Sequence, residues 1–143
     1  MDEEPLTLKL RSIFDTAPGW LQDWYFELRL SEEVYRAERY NTCLTLCLIK
    51  LQPSVDVDSE EGIRVLTALD VQFRRTDVAG ITKPDELAVC LLDATAEQAV
   101  LVLERLSPQL DCYIAGHGFA SFPVDAPTAE GLIRHARLTM AGS

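Results

Sequence analysis

The chain has few basic residues. Its 143 residues include 13 Lys and Arg against 23 Asp and Glu, which gives a formal net charge of −10 at pH 7. Proteins that bind nucleic-acid polymers neutralise phosphates with clustered Lys and Arg, so this composition argues against such a partner and against attraction to anionic membranes. A small anionic ligand stays compatible with the sequence, because local arginines can bind it.

Long apolar runs and a basic N-terminal region are also missing. No apolar stretch approaches the roughly 20 residues that a membrane-spanning helix needs. The chain begins Met1-Asp2-Glu3-Glu4, the opposite of the positively charged start of a secretory signal. We therefore expect a cytoplasmic protein without direct membrane insertion.

The four cysteines include no C-x-x-C pair. They lie in apolar, strand-like surroundings, which favours buried thiols over a zinc site or a disulfide. The two histidines, His117 and His135, have no Ser, Cys or carboxylate at a motif spacing, so we expect neither to be catalytic. The cysteines are Cys43, Cys47, Cys90 and Cys112.

The sequence does contain enough apolar residues for one core. With 48% hydrophobic residues over 143 positions, the chain suits one domain and is too short for two. Helical spacing predicts a short helix over residues 6–14 and another over about residues 22–39. Trp24, Leu28 and Tyr35 are predicted on the buried face of the second helix.

The aromatic residues around the start of this second helix allow two interpretations. They could form an exposed contact patch or belong to the core, and the sequence favours the core. The aromatic residues are Trp20, Trp24, Tyr25 and Phe26. The charged side chains predicted to face solvent on the same helix are Glu32, Glu33, Arg36 and Arg39.

Residues 43–51, CLTLCLIKL, are too apolar for a strand with one wet face and predict a central strand covered on both faces. Capping patterns and apolar stripes predict the remaining elements. These are a helix from a cap at Asp58 and Glu61 to about residue 73, a helix from a cap at Thr95 and Gln98 to about residue 106 that Pro108 ends, a strand over residues 111–122, and a last helix capped by Thr128.

Residues 73–92 predict a hairpin, because two short apolar runs are joined by a turn at Lys83-Pro84. This hairpin resembles the central one of the GGDEF family, the diguanylate cyclases, where an R-x-x-D motif precedes the signature G-G-(D/E)-E-F. Arg74-x-x-Asp77 keeps the first motif. The residues in the place of the signature are Lys83, Pro84, Asp85, Glu86 and Leu87.

Other blocks in the same order extend the resemblance to about residues 15–140. Asp15, Gly19 and Phe26 match the family's opening D-P-L-T-G-L-P-N-R-R-x-F, and residues 118–123, GFASFP, resemble its S-I-G-V-A-x-x-P strand. The resemblance implies an α/β domain (an α+β sandwich) of the nucleotidyl-cyclase palm type. We expect a mostly antiparallel central sheet flanked by helices over residues 15–143, after an N-terminal helix or linker over residues 1–14.

The resemblance also implies that cyclase activity is lost. In the family a strand ending I-D-L-D supplies a ligand of the catalytic metals, and Lys50 takes the place of that aspartate. Pro84 has no backbone N–H and Lys83 adds bulk where glycines let phosphates approach the backbone. The family's base-binding segment and its terminal lysine are missing too. We expect no metal or cofactor, and an ion pair from Lys50 to Asp85 or Glu86.

A second site of the family is better preserved. There an R-x-x-D pair, with an arginine on the following helix, binds the product cyclic di-GMP, and Arg74, Asp77 and Arg105 hold these positions. Guanidinium groups match phosphate oxygens and a guanine edge, and a carboxylate accepts from guanine N–H groups. A structural interpretation stays open, because helix dipoles favour such arginines and Asp77 can cap the turn or pair with Arg75.

These features predict a bacterial signalling domain of the degenerate GGDEF kind. We expect it to act through protein contacts, with a protein partner or a homodimer, and to have cyclic di-GMP as its candidate ligand. Two alternatives stay open. One is a pure interaction or dimerisation module without nucleotide, and the other is a weak GTP-binding or cyclase enzyme that uses Asp85 and Glu86.

Overall fold

A computed structural model of the chain describes residues 20–74, 76–106 and 108–141. The predicted helix over residues 6–14, the domain boundary after residue 14 and the matches at Asp15 and Gly19 lie outside the described residues. The elements are β1 (Leu21–Gln22), α1 (Asp23–Tyr40), β2 (Leu44–Leu51), α2 (Glu60–Asp70), β3 (Val78–Lys83), β4 (Glu86–Leu92), α3 (Ala96–Glu104), α4 (Pro108–Asp111), β5 (Ile114–Phe122) and α5 (Ala129–Ala141).

The five strands form one sheet in the order β1-β3-β4-β2-β5. β1 runs parallel to β3, and every other neighbouring pair is antiparallel. The predicted mostly antiparallel sheet is therefore confirmed. β2 lies between β4 and β5, and all of its residues except Lys50 are buried, so the prediction of a strand covered on both faces is also confirmed.

The alternation of side chains along β2 divides the core into two layers. Leu46 and Leu48 belong to a cluster with buried residues of α1 and α5, whereas Cys47 and Ile49 belong to a cluster with residues of α2 and α3. Successive side chains of a strand point to opposite faces, so one apolar strand serves both layers. The sheet is thus sandwiched between two pairs of helices.

The cysteines differ in burial. Burial raises the pKa of the Cys47 and Cys90 thiols, so these two stay protonated inside the core. Cys43 is half-buried and Cys112 is exposed, and none of the four, all within the described residues, forms a disulfide. The prediction of a buried thiol is wrong for Cys112, because this residue lies between α4 and β5 rather than within a strand.

Helix α1 has the predicted position but not the predicted buried face. The side chains of Trp24, Leu28 and Tyr35, predicted to be buried, are 54%, 48% and 64% exposed. The prediction failed because several apolar residues lie on both sides of this helix. The buried residues of this helix are Phe26, Leu30, Glu33, Val34 and Ala37.

A close approach between α1 and β3 fixes the rotation of the helix. A Cβ on Gly80 would lie 2.7 Å from the Cβ of Phe26, so this glycine makes room for the phenylalanine ring against the sheet. Phe26 and Trp20 are fully buried, and the Trp20 Nε1 donates to the Leu66 carbonyl oxygen at 2.9 Å. The core interpretation is therefore confirmed for these two aromatic residues and is wrong for Trp24.

Glu33 was predicted to face solvent and is buried instead. Its carboxylate accepts hydrogen bonds from Arg29 Nη2 and Arg36 Nη1, both at 2.9 Å. A buried charge requires such compensation. Helix α1 therefore tolerates an acidic residue among its buried positions because two arginines of the same helix neutralise it.

The predicted cap of α2 is wrong by one residue. Ser59, not Asp58, caps this helix, and its Oγ accepts a hydrogen bond from the Gly62 N–H at 2.9 Å. The predicted box with Glu61 is therefore not formed, and the helix ends at Asp70 instead of residue 73.

The caps of α3 and α5 are confirmed. The Thr95 N–H donates to Gln98 Oε1 at 2.9 Å and the Gln98 N–H donates to Thr95 Oγ1 at 3.2 Å, a complete capping box. Thr128 Oγ1 accepts from the Gly131 N–H at 3.1 Å. Pro108 begins the short helix α4, so β5 starts three residues later than predicted.

None of the helices within the described residues combines the length and the apolar character needed to cross a membrane.

We predict that Gly118→Ala destabilises the protein, because a Cβ on Gly118 would overlap the Ala136 carbonyl oxygen and push α5 away from β5. Overpacking of this kind costs about 1–3 kcal/mol, measurable by urea unfolding. Gly131→Ala is the matched control, since its Cβ would lie 3.1 Å from the nearest atoms and a helical alanine is favoured. Equal stability of the two variants would contradict the prediction.

Candidate functional site

The signature segment forms the tight turn of the β3–β4 hairpin, as predicted. Lys83 ends β3, Glu86 begins β4, and these two residues are paired across the hairpin. Pro84 and Asp85 form the turn between them. The Asp85 carbonyl oxygen accepts a hydrogen bond from the Leu51 N–H at 2.8 Å, which ties the turn to the end of β2.

The Glu86 carboxylate is buried in an ion pair with Arg137 of α5. The side chain of Glu86 is 3% exposed, and Arg137 Nη2 lies 2.8 Å from Glu86 Oε1. Arg137 Nε donates to Glu86 Oε2 at 3.2 Å, so the guanidinium binds the carboxylate with both of its edge nitrogens. Thr82 Oγ1 donates to Glu86 Oε1 at 2.6 Å.

These contacts determine the charge of Glu86. Burial by itself raises the pKa of this carboxyl group, but the hydrogen bonds from Arg137 and Thr82 and the charges of Arg137 and Lys83 outweigh burial and lower the pKa overall. The hydrogen bond to Glu86 also raises the pKa of Arg137. The pair is therefore fully ionised at neutral pH.

The predicted ion pair of Lys50 with Asp85 or Glu86 is wrong. Lys50 lies opposite Glu86 in the register of β2 and β4, but it makes no contact within 4.0 Å with any carboxylate of the described residues. Arg137 pairs with Glu86 instead, because its forked guanidinium reaches both carboxylate oxygens. Lys50 is left exposed at the end of an otherwise buried strand.

A cleft of about 220 Å³ collects these residues at one end of the sheet. It contains three cationic side chains and two carboxylates, and one of the carboxylates is already held by Arg137. Across residues 20–74, 76–106 and 108–141, no three His, Cys, Asp or Glu side chains are grouped closely enough to hold a metal ion. The cleft therefore does not fit the hard divalent cations that need several oxygen ligands. Its lining residues are Lys50, Lys83, Asp85, Glu86, Arg137 and Met140.

Sequence reasoning missed Arg137, although the spacing of α5 contains a signal for it. Arg137 follows Ala136 and lies four residues after Ile133, both of which are buried. A long side chain beside a buried stripe can reach inward along the helix surface. The partner, Glu86, is 51 positions away in the sequence, so the spacing alone did not identify it.

The R-x-x-D residues lie at a second cavity, between the end of α2, β4 and α3. Arg74 and Asp77, which are three residues apart, and Arg105 at the end of α3 all line this cavity of about 500 Å³. The remaining lining residues are mixed in polarity. They are Gln72, Phe73, Leu91, Asp93, Ala94, Gln98, Leu101 and Val102.

The Asp77 carboxylate holds the loop before β3 in place. Its side chain is 2% exposed, and it accepts hydrogen bonds from the Arg74 N–H at 3.0 Å, from Arg74 Nη2 at 3.2 Å and from the Leu92 N–H at 3.3 Å. It thus caps the turn, as the structural interpretation predicted, with Arg74 as its partner. The alternative partner, Arg75, lies outside the described residues.

The two arginines of this cavity differ in how firmly they are held. Arg74 Nη2 also donates to the Leu92 carbonyl oxygen at 2.6 Å, while the Arg74 side chain remains 60% exposed. Arg105, at the C-terminus of α3, is exposed and its side chain has no ion pair with a described carboxylate. Both guanidinium groups can therefore meet an anion from solvent.

Solved structures that resemble this chain include GGDEF domains. The coiled coil and GGDEF domain of DgcB from Caulobacter crescentus, in complex with c-di-GMP, has a TM-score of 0.79 and 13% identity and covers 99% of this chain and 85% of that one. The GGDEF domain of FimX from Pseudomonas aeruginosa has a TM-score of 0.76 and 18% identity, with 92% and 93% covered.

A third similar structure is the diguanylate cyclase SiaD from Pseudomonas aeruginosa in complex with its activator SiaC. It has a TM-score of 0.75 and 19% identity, and the match covers 98% of this chain and 62% of that one. No family model and no curated protein matches the sequence. The structural likeness confirms the predicted architecture: the chain has the fold of GGDEF domains.

We predict that Arg137→Met destabilises the protein much more than Arg134→Met. Removing Arg137 leaves the buried Glu86 carboxylate without its cation, which costs about 3–5 kcal/mol for a buried pair. Arg134 instead lies 3.8 Å from Glu130 in an exposed pair, where the loss is small. Urea unfolding at pH 7 gives the free energy of unfolding of both variants. Similar decreases for the two variants would show that the ion pair of Glu86 and Arg137 contributes little to stability.

We also predict that Glu86 makes the protein acid-sensitive. Its pKa in the folded state lies below the ordinary value of 4.5, so its stabilising effect is complete above about pH 4.5 and is lost as the pH falls through the folded-state pKa. Glu86→Gln should lower stability at pH 7 and flatten its decline in acid. The control Glu130→Gln, at an exposed position, should show the same pH dependence of unfolding free energy as the unsubstituted protein. If the pH dependence of Glu86→Gln also equals that of the unsubstituted protein, this assignment is contradicted.

Proposed function

We propose that this chain is a non-catalytic signalling module with the GGDEF fold that acts through protein contacts. The observation that carries the loss of cyclase activity is the buried ion pair between Glu86 and Arg137. It removes a carboxylate of the signature segment from any role toward a metal ion or a substrate.

The surroundings of this pair support the same conclusion. Lys50 and Lys83 add two positive charges to the cleft, which oppose the entry of divalent cations. Of the two carboxylates among the described lining residues, Arg137 binds Glu86 and leaves Asp85. Pro84 offers no N–H to a phosphate at the turn. Metal binding and phosphate binding are therefore impaired by different residues, so no single substitution restores both.

We further propose that the cavity with Arg74 and Arg105 binds cyclic di-GMP. Both guanidinium groups are exposed, face the same cavity of about 500 Å³ and can make charge-assisted bonds to phosphate oxygens. Asp77 is buried, so its role in this proposal is to position Arg74. The DgcB structure, which contains a domain of this fold, is a complex with c-di-GMP.

A similar structure and the exposed side of α1 support the proposal that the chain acts through protein contacts. SiaD, which has this fold, forms a complex with an activator protein. In the chain described here, helix α1 leaves Trp24, Leu28 and Tyr35 exposed on one side, and unpaired apolar surface of this kind marks contact sites.

A pure interaction module without nucleotide is the second candidate. The burial of Asp77 favours it, because a carboxylate with three donors and 2% exposure is unavailable to a guanine base unless the loop moves. The two candidates differ in whether Arg74 and Arg105 bind an anion.

For the enzymatic side, we expect no cyclic di-GMP or pyrophosphate from GTP with Mg²⁺ or Mn²⁺. We expect Lys50→Asp to stay inactive as well, because Arg137 still holds Glu86 and Pro84 still lacks an amide hydrogen. To test this, each protein is incubated for a long time at high concentration with GTP and the metal ion, and chromatography measures the product formed. Product formed above the protein-free control would reject the non-catalytic proposal.

For the ligand, isothermal titration with cyclic di-GMP should show binding that Arg74→Ala and Arg105→Ala each weaken about tenfold or more, because each charge-assisted bond contributes about 1.5–3 kcal/mol. Arg64→Ala is the control, since Arg64 is exposed on α2 and lies outside the cavity. Absence of heat at millimolar ligand would leave the pure interaction module as the better candidate.

A further inference from the structure

The outer side of helix α1 has large apolar side chains that no other described element covers, and the nucleotide cavities do not use this surface. Leu28 and Tyr35 are exposed seven residues apart, which places them on the same side of the helix, two turns from each other. Beside Tyr35 lies a groove of about 530 Å³. Its lining residues are Ser31, Glu32, Tyr35, Arg36, Arg39 and Tyr40.

Charges of opposite sign lie along one flank of this stripe. Glu32 lies one turn before Tyr35 and Arg39 one turn after it, so they are also seven residues apart on one side of the helix. Glu32 contacts Arg29 at 3.3 Å. Arg39 has no carboxylate partner among the described residues and lies over the Tyr40 ring at 5.8 Å. On this flank an acidic residue precedes Tyr35 and a basic residue follows it, whereas exposed Glu38 lies on the opposite flank.

Such a surface is complementary to itself when two copies meet in opposite directions. A two-fold axis that passes close to Tyr35, midway between positions 32 and 39, places Glu32 of each copy against Arg39 of the other. Both pairs then form together, as an isologous contact requires. A parallel arrangement would instead bring Glu32 against Glu32 and Arg39 against Arg39.

We propose that this chain forms a symmetric homodimer through the outer side of α1, with Tyr35 near the two-fold axis and reciprocal Glu32–Arg39 pairs. The inference rests on the protein-contact part of the proposed function and not on the nucleotide. A contact made by one helix per copy falls at the low end of interface sizes, below about 1,200 Å² in total. The dimer is therefore weak and depends on protein concentration and on salt.

Sedimentation equilibrium of the full chain without nucleotide tests this proposal. A dimer should accumulate as the protein concentration rises and should dissociate in high salt. Tyr35→Glu should weaken dimerisation about tenfold or more, because it places two like charges close to the axis. Val124→Glu is the matched control, since Val124 is 84% exposed in the turn before α5 and the substitution adds the same charge.

The paired charges allow a sharper test. Glu32→Arg and Arg39→Glu should each weaken the homodimer about tenfold, because each creates two like-charge contacts across the axis. A mixture of these two variants should regain dimerisation, since the mixed dimer contains two opposite-charge contacts and neither chain has changed further. Circular dichroism confirms that each variant is folded.

Three results would overturn the homodimer. These are a monomer at every concentration, a dimer that Tyr35→Glu leaves intact, and a mixture of the charge variants that associates no better than either alone. Because no cyclic di-GMP is present, none of these results bears on the nucleotide cavity. A monomer that binds cyclic di-GMP would reject the homodimer and leave the ligand proposal standing.

Discussion

The arrangement of the cleft depends on one requirement, the neutralisation of the buried Glu86 carboxylate. Arg137 of α5 neutralises this carboxylate, so an ion pair connects α5 to the central hairpin. The pair forms only because α5 lies close to the sheet, which Gly118 permits by lacking a side chain. The close packing of α5 on Gly118 and the ion pair of Arg137 with Glu86 both hold α5 against the sheet, so each contact favours the other.

The fold determines where the side chains of the cleft lie, but not which charges they carry. The sheet order, the two helical layers and the hairpin turn position residues 83–87 at the end of β2, where Lys50 also lies. The side chains at that end include three cations, Lys50, Lys83 and Arg137. Fixed cations of the chain occupy the surroundings in which a metal-dependent site gathers carboxylates.

The sequence was sufficient to predict structural features that depend on residues close together in the chain. β2, the hairpin and the caps at Thr95 and Thr128 follow from apolar runs and capping chemistry within a few residues. Some failures were local, such as the cap of α2, which was misplaced by one residue, but two others arose from contacts between distant residues. The rotation of α1 depends on Phe26 meeting Gly80, and the partner of Glu86 lies on another helix. Periodicity cannot rank two apolar faces of one helix, and spacing cannot choose between Lys50 and Arg137.

The cavity between α2 and α3 contains an arginine whose conformation is already fixed. Arg74 is bonded to Asp77 and to the Leu92 carbonyl oxygen, yet more than half of its side chain faces solvent. Immobilising a long side chain on binding costs about 0.5–1.5 kcal/mol. Here that freedom is lost when the protein folds, so an anion arriving at the cavity meets a preorganised donor. The side chain of the neighbouring Arg105 has no such bond to a described residue.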